Sequence, residues 1–241
     1  MKTERRSSEM VEALVGRVAR LALGLVFPLH CIGCHREGAV ICERCVAGLK
    51  RLEKPYCDKC ARPNPSPICS GCLERPLAVD TIRAPFLFEG PIREAVHRLK
   101  YRGQRAAATQ LAQLMAESAA RSVASVDVIT PVPLHPSRLR KRGYNQSFLL
   151  ARELGKILGL PVQDGLLSKV KNSPPQVETP SREERQSNVA GSFECRRPAD
   201  DLRVLLIDDV ATTGSTLSEC AATLKAAGAK AASGLVLARE S

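Results

Sequence analysis

Tryptophan is absent from this sequence of 241 residues, and aromatic residues make up only 3% of it. A hydrophobic core must therefore be aliphatic, and a hydrophobic content of 44% is enough to form one. No run of 18 apolar residues occurs, so we expect no transmembrane helix. Arg17 and Arg20 interrupt the apolar residues of segment 10–27, which is not typical of a signal peptide. We therefore expect a cytoplasmic protein.

Segment 10–27 instead has the spacing of an amphipathic helix. Its apolar residues recur every three or four positions, at Met10, Leu14, Val18, Leu21 and Leu25. We expect residues 1–27 to form an N-terminal helix that docks on the rest of the protein or on a partner.

Acidic residues are in the minority, because 25 Asp and Glu stand against 36 Lys and Arg and give a formal net charge of +11. Such a charge favours polyanionic partners, which means nucleic acid, phosphorylated substrates or both. The alternative is a lineage whose proteins are basic in general.

Cysteine is abundant, and eight of the ten residues form four CxxC pairs. Seven residues separate the first two pairs and eight separate the last two: Cys31/Cys34, Cys42/Cys45, Cys57/Cys60 and Cys69/Cys72. A CxxC turn places two thiolates on one edge of a tetrahedral zinc site, so eight ligands indicate two zinc ions. A disulfide framework is the alternative, and it is disfavoured where no secretion signal is expected.

The way in which the four pairs combine stays open, since sequential and crossed pairing both supply four ligands per ion. Four cysteine ligands leave no open coordination position, so both zinc ions are expected to be structural. Prolines at positions 55, 63, 65, 67 and 76 punctuate the region, as in a loop-rich module that is held by metal rather than by a core. We assign residues 28–78 to this zinc module and residues 79–241 to the main domain.

The most informative stretch is Val204–Leu217, which reads VLLIDDVATTGSTL. Its first four residues predict a buried strand, which Asp208 and Asp209 close. A turn of small hydroxyl residues around Gly214 follows, and a helix begins after it. Backbone N–H groups and the helix dipole then point at one spot, which predicts an anion site.

Two carboxylates beside an anion site need a reason, because they repel a phosphate unless they face something else. Asp208 and Asp209 can accept hydrogen bonds from vicinal sugar hydroxyls, so a sugar phosphate satisfies both halves of the motif. No Gly-Lys-Ser/Thr occurs here, which excludes a Walker A loop. The stretch resembles the signature with which type I phosphoribosyltransferases bind 5-phosphoribosyl 1-diphosphate (PRPP). The alternative is an ordinary strand-to-helix turn of a doubly wound domain.

Residues 131–146 form the second informative stretch. Three prolines exclude a regular element there, and four basic residues follow within 138–142. A basic loop after a strand lies where doubly wound sheets bind ligands, so it can meet a second, pyrophosphate-like group. The alternative is a solvated basic loop.

Residues 171–191 are polar and proline-rich, and a loop of this length in a compact domain is functional or disordered. Arg182 and Arg185 could carry charge into a site as a lid closes. Around these stretches, a strand or an extended arm is expected at 79–88, strands at 126–131, 165–170, 192–194 and 234–238, and helices at 91–100, 104–121 and 146–158.

The four CxxC pairs, LKYRG, PVPLHPSRLRKRGYNQ and VLLIDDVATTGSTL, in this order, resemble the ComF family of competence proteins, which includes ComFC and GntX-type relatives. The resemblance covers about residues 27–239. It implies an α/β fold like that of type I phosphoribosyltransferases, with a mostly parallel sheet flanked by helices and a small N-terminal double zinc ribbon.

The resemblance also implies roles for individual residues. Asp208 and Asp209 match the catalytic acidic pair that binds ribose, and the 5′-phosphate loop matches Ala211, Thr212, Thr213, Gly214, Ser215 and Thr216. Leu134, His135, Arg138, Lys141 and Arg142 occupy the pyrophosphate-loop position, and Gln176, Arg182 and Arg185 lie in the flexible loop. Mg²⁺ is expected to accompany PRPP.

Two functions follow. The first is a phosphoribosyl transfer enzyme. The second is a competence factor of natural transformation that binds single-stranded DNA without turnover, with the ComF helicase-like protein as a partner. The few aromatic residues disfavour a stacking platform, so DNA binding would be driven by phosphate contacts and would depend on salt.

Overall fold

A computed structural model describes residues 30–119, 125–172 and 190–241. The expected N-terminal helix of residues 1–27 lies outside the described residues, as do Gln176, Arg182 and Arg185 of the expected lid. The chain divides into two compact units, residues 1–48 and 49–241. The last two CxxC pairs therefore share a unit with the main domain, whereas the sequence suggests a division near residue 78.

In the smaller unit, the described residues form two tight turns and one short helix, α1 (Glu43–Ala47). His30 and Glu37 form a β-bridge across the first turn. The helix begins directly after Cys42, and Val40 and Ile41 are buried beside it.

The larger unit contains α2 (Ser70–Glu74) and then an α/β arrangement. Its strands are β1 (Ile82–Arg83), β2 (Phe86–Leu87), β3 (Val128–Pro131), β4 (Leu167–Lys169), β5 (Phe193–Cys195), β6 (Arg203–Ala211) and β7 (Ala231–Arg239). Its further helices are α3 (Gly90–Tyr101), α4 (Ala107–Ala119), α5 (Pro136–Arg142), α6 (Gln146–Leu158) and α7 (Ser215–Ala226).

The main sheet has the order β1-β7-β6-β3, and β2 also pairs with β7. Every pairing in it is parallel, with Pro131 opposite Ile207 and Val204 opposite Ala232. Strands β4 and β5 form a separate antiparallel pair. The α/β class with a mostly parallel sheet flanked by helices is confirmed.

Aliphatic residues fill the core, as the composition requires. Val204, Leu206 and Val236 of the sheet pack with Leu217 and Leu224 of α7. On β6, four consecutive residues from Val204 are less than 2% exposed, which explains the uninterrupted apolar run.

Two sequence predictions about local structure were wrong. Asp208 and Asp209 do not close their strand, because β6 continues its ladder with β7 through Val210 and Ala211. The prolines of 131–146 do not exclude a helix, since Pro136 is the first residue of α5, where its missing N–H is not needed.

Across the described ranges, no helix combines the length and the apolarity that crossing a bilayer requires.

Candidate functional site

The carboxyl ends of β3 and β6 lie side by side, because the two strands are parallel and paired up to Pro131 and Ile207. Residues that follow these positions therefore meet at one edge of the sheet, where open α/β sheets bind their ligands. This juxtaposition brings the acidic pair on β6 and the basic stretch after β3 to the same edge.

Asp208 is held from two directions. Ser147 Oγ of α6 donates a hydrogen bond to Asp208 Oδ1 over 2.8 Å, and the Asp209 N–H donates to the same oxygen over 2.9 Å. Burial and then the charge of Asp209 raise the pKa of Asp208 to about 7, although Lys100 and Ser147 lower it. Near neutral pH this carboxyl therefore exchanges between its charged and uncharged forms.

Asp208→Asn should change the pH dependence of stability. Because the folded-state pKa of about 7 lies above the unfolded value of about 3.9, the folded protein retains a proton that the unfolded chain has released. The free energy of unfolding of the wild type therefore falls as pH rises from about 4 to about 7. Relative to the wild type, Asp208→Asn should gain on the order of 2 kcal/mol between about pH 5 and pH 8, measured by urea unfolding.

Asp127→Asn is the matched control for this measurement. A hydrogen bond from Arg203 lowers the pKa of Asp127 to about 2, so this carboxyl stays ionised over the whole range. In Asp127→Asn, the free energy of unfolding should differ from that of the wild type by the same amount at every pH in this range. A curve for Asp208→Asn that runs parallel to the wild type would contradict the prediction.

Asp209 has a different partner. Its Oδ2 lies 2.6 Å from Lys100 Nζ of α3, and its side chain is only 4% exposed. Burial works to lower the pKa of Lys100, but Asp209 outweighs burial and raises it. The pair is therefore ionic, and it places a cation inside the acidic edge.

Lys100→Met should destabilise the protein by about 2 kcal/mol, because it leaves the carboxylate of Asp209 buried without its cation. Lys100→Met combined with Asp209→Asn should recover most of the loss, since both charges are then gone. The four proteins of this cycle can be compared by chemical unfolding.

Arg98→Met is the control on the same helix. Arg98 Nε lies 2.7 Å from Glu94 Oε1, and Glu94 is 37% exposed. Loss of this surface pair should cost less than about 1 kcal/mol. Equal losses for Lys100→Met and Arg98→Met, or no recovery in the double variant, would contradict a buried ionic pair.

The turn after β6 is braced internally. Thr213 Oγ1 lies 2.8 Å from Ser215 Oγ and accepts a hydrogen bond from the Ser215 N–H over 3.3 Å. Ala211, Thr213, Gly214 and Ser215 are buried, while Thr212 and Thr216 are half-buried. The hydroxyl residues thus hold the turn in shape.

Gly214 is the N-cap of α7 and has a φ of 81°, in the left-handed region. A Cβ at this position would lie 2.9 Å from Ile82 Cδ1 and 3.3 Å from Leu77 Cδ1, so the turn can approach these side chains only as glycine. The N-cap residue of α7 supplies no side-chain hydrogen bond, whereas His135 and Asn145 cap α5 and α6. The positive end of the dipole of α7 favours an anion at this position, where the Ser215 N–H is already bonded to Thr213 Oγ1.

The basic residues predicted to meet a pyrophosphate lie on or just before α5. Leu134 precedes the helix, and His135 caps it, because its Nδ1 accepts a hydrogen bond from the Ser137 N–H over 3.3 Å. Arg138 is half-buried and Lys141 is exposed. Both follow β3 in the chain and so lie towards the carboxyl edge of the sheet.

Arg142 connects α5 to α3. Its Nη1 donates to Gln146 Oε1, and its guanidinium lies 5.3 Å from the centre of the Tyr101 ring. Tyr101 is 64% exposed. Lys169 of β4 is a further neighbour of this edge, since burial and Arg138 lower its pKa while Asp208 works to raise it.

The eight cysteines form two groups of four whose sulfur atoms lie within 4.8 Å of one another. The first group is Cys31, Cys34, Cys42 and Cys45, and the second is Cys57, Cys60, Cys69 and Cys72. Pairing is therefore sequential, not crossed. Distances of 3.5 Å between Cys34 and Cys42 and 3.7 Å between Cys60 and Cys69 suit tetrahedral zinc, whose bonds of about 2.3 Å imply sulfur separations near 3.8 Å.

The two groups have the same local geometry. The Cys42 N–H donates to Cys31 Sγ over 3.3 Å, and the Cys69 N–H donates to Cys57 Sγ over 3.4 Å. Although burial works to raise it, such backbone hydrogen bonds lower the pKa of both Cys31 and Cys57 to about 6. Both thiols therefore ionise more readily than a free cysteine, and the thiolate is the form that binds a metal.

Lys100 and Ser147 are the site residues that the sequence analysis missed. Lys100 falls in the motif LKYRG, which is part of the family resemblance but was given no role there, and its partner Asp209 is far away in sequence. Ser147 carries no signal of its own, although the register of α6 from Gln146 places it in the first turn of that helix.

A family model and several curated proteins match this chain. A family model described as a double zinc ribbon domain matches residues 22–73. The DNA utilization protein YhgH of Salmonella typhi is 31% identical over 196 residues, covering 78% of this chain and 86% of that protein. Competence protein F of Haemophilus influenzae is 29% identical over 216 residues, covering 84% of this chain and 93% of that protein.

Among solved structures, the purine phosphoribosyltransferase of Pyrococcus horikoshii is 21% identical and covers 52% of this chain and 67% of its own, with a TM-score of 0.33. The sheet and the two cysteine groups define an α/β protein with a double zinc ribbon. The extent of its identity to its relatives shows that the chain belongs to the ComF family, as its motifs predict.

Proposed function

We propose that this protein binds PRPP together with Mg²⁺ at the carboxyl edge of the main sheet. The observation that carries the proposal is the acidic pair on β6, which stands directly before a glycine-capped helix start. In this proposal the 5′-phosphate lies on the turn 211–216, and the ribose hydroxyls donate to Asp208 and Asp209.

The acidic pair distinguishes a sugar phosphate from a plain phosphate. A helix N-terminus attracts any anion, whereas carboxylates repel one unless hydroxyl donors face them. The charge balance supports this assignment, because Lys100 neutralises Asp209 and the pKa of Asp208 is about 7. The edge can thus accept hydroxyl hydrogen bonds without excluding an anionic ligand.

The diphosphate group would lie beside α5, where Arg138, Lys141 and Arg142 supply positive charge. Mg²⁺ would enter with the diphosphate as part of the ligand and would neutralise charge on its oxygens. In a transfer reaction, the bond from the anomeric carbon to the diphosphate breaks, and its electron pair leaves with the diphosphate. Positive charge then builds on the sugar ring, where the carboxylates of Asp208 and Asp209 would stabilise it.

Hydrogen exchange can test this placement on the zinc-loaded protein. PRPP with Mg²⁺ should slow the exchange of backbone amides within 212–216 and of those in 134–142. Ribose 5-phosphate should protect the first segment alone, and inorganic diphosphate the second. Unchanged exchange in 212–216 at saturating PRPP would contradict the proposed site.

A second candidate function is the binding of single-stranded DNA, which the net charge of +11 favours. The specific observation is the exposed Tyr101, which lies against Arg142 and follows the basic Arg98 and Lys100 on α3. Tyr101→Ala should then weaken the binding of an oligothymidine, and rising salt should weaken it further. The helicase-like partner implied by the family resemblance stays a prediction that a pull-down with the purified pair can test.

A further inference from the structure

Arg239, the last residue of β7, is a fully buried arginine that joins the second cysteine group to the turn after β6. It is 0% exposed. Its Nε donates to the carbonyl of Cys60 over 2.8 Å, and its Nη1 donates to the carbonyl of Ala211 over 2.8 Å and to that of Thr212. One guanidinium therefore contacts both a cysteine turn and the start of the turn 211–216, which is called the phosphate turn below.

The cysteine turn is fixed to the domain at three consecutive carbonyls. Besides Cys60, the carbonyl of Asp58 accepts from Arg83 Nη1 and that of Lys59 accepts from the Ile82 N–H, each over 2.8 Å. A metal that closes the turn also fixes these carbonyls, because it restrains the sulfur atoms at both ends of the CxxC sequence. The position of the Arg239 acceptor thus depends on the state of the second cysteine group.

A second path runs through the side chains under Gly214. Leu77 packs against the cysteines of the second group and also against the main core. A Cβ at Gly214 would lie 3.3 Å from Leu77 Cδ1 and 2.9 Å from Ile82 Cδ1. The Ala78 N–H also donates to Ser218 Oγ of α7 over 2.9 Å. The phosphate turn therefore rests on residues that the second cysteine group holds in place.

The charges agree with this geometry. Four thiolates outweigh the charge of the zinc ion they bind, so the loaded group is an anion. Arg239 Nη2 lies 3.9 Å from Cys60 Sγ and supplies a buried cation beside it. A lysine at position 239 would keep the positive charge but could not replace the arginine, because it lacks the planar guanidinium that donates to several carbonyls at once.

We propose that Arg239 is a positioning residue through which zinc at the second cysteine group sets the geometry of the phosphate turn. Zinc at this group and an anionic ligand on the turn then stabilise each other's binding, as thermodynamic linkage requires. The inference rests on the proposed function for the identity of the ligand, PRPP, but not for the coupling between the zinc group and the turn.

The first test therefore uses no ligand. Hydrogen exchange of the amides in 212–216 is compared in the zinc-loaded wild type, in Cys60→Ser and in Cys34→Ser. Cys60→Ser should speed this exchange by roughly tenfold or more. Cys34→Ser, which removes the equivalent ligand from the group in the other compact unit, should leave it unchanged. Equal effects, or none, would overturn the proposal.

A second measurement keeps the wild-type chain and covers the case in which Cys60→Ser fails to fold. Zinc release to a zinc-selective colorimetric chelator is followed with and without PRPP and Mg²⁺. Because Cys34→Ser removes a ligand from the first group, the release phase that it leaves unchanged belongs to the second group. PRPP should slow that phase, and it should not slow it in Arg239→Lys. If PRPP binds the wild type and slows neither phase, the coupling is refuted.

The two hypotheses can fail separately. A wild type that does not bind PRPP contradicts the proposed function, whereas faster exchange of 212–216 in Cys60→Ser alone still supports the coupling. In Arg239→Lys, the affinity for PRPP should fall by roughly tenfold while both zinc ions are retained. An affinity equal to that of the wild type would show that the charge of residue 239 suffices and would overturn the positioning role.

Discussion

Replacing Asp208 and Asp209 together by asparagine is expected to abolish the binding of PRPP. Each carboxylate would accept hydrogen bonds from ribose hydroxyls, and a hydrogen bond to a charged group contributes about 1.5–3 kcal/mol. The loss should therefore be at least roughly 100-fold in affinity. Equilibrium dialysis with labelled PRPP and excess Mg²⁺ measures it, since the chain has no tryptophan to report on binding.

Asp200→Asn combined with Asp201→Asn is the matched control, because it makes the same two substitutions at an exposed pair outside the site. This control should bind PRPP as the wild type does. Binding of single-stranded DNA should be unchanged or stronger in the Asp208/Asp209 double variant, since a negative charge is lost. Parallel loss of both ligands would contradict separate roles for the acidic pair and the basic residues.

Gly214→Ala is expected to have the second largest effect. A residue with a side chain at a φ of 81° costs about 1 kcal/mol, and the new Cβ would lie 2.9 Å from Ile82 Cδ1. Relief of that contact requires the turn or the Ile82 side chain to move, which adds about 1 kcal/mol or more. Because the turn carries the proposed phosphate donors, its displacement should also weaken PRPP binding by roughly tenfold or more.

Gly165→Ala is the control that introduces backbone strain without displacing neighbouring atoms. Gly165 has a φ of 88°, but a Cβ there would have no atom within 4 Å. This variant should lose about 1 kcal/mol of stability and no affinity for PRPP. Thermal unfolding and dialysis together compare the two variants, and equal affinities would show that the close approach at Gly214 has no role in binding.

Local patterns in the sequence predicted much of the fold. The helix expected at 146–158 has the observed bounds Gln146–Leu158, because Asn145 is its cap and Gly159 adopts the left-handed conformation that ends it. The sequence also predicted the helix that follows the phosphate turn and the zinc-binding role of the CxxC pairs. In each case neighbouring residues determine the structure.

The predictions that failed concern where a residue lies within its helix or sheet. Proline excludes helix only in the interior, and Pro136 stands at the first position of α5. The acidic pair was expected at a strand end, but the parallel ladder with β7 extends β6 to Ala211. A single sequence gives no measure of how far a neighbouring strand continues.

Contacts between distant segments could not be predicted at all. The pairs Lys100–Asp209 and Arg239–Cys60 join residues that are far apart in the chain and show no shared pattern. In each pair a cation contacts a buried group next to the candidate site, which is the Asp209 carboxylate for Lys100 and the Cys60 carbonyl for Arg239. They show how the basic composition serves the interior of the domain as well as its surface.

The central claim is that the turn 211–216 and the acidic pair form one PRPP site. A calorimetric titration of the zinc-loaded wild type with PRPP, in the presence of Mg²⁺, tests it most directly. We expect saturable binding with one ligand per chain, competition by ribose 5-phosphate, and no heat of binding for the Asp208/Asp209 double variant. A folded, zinc-loaded wild type that binds no PRPP, or a double variant that binds it equally well, would contradict the claim.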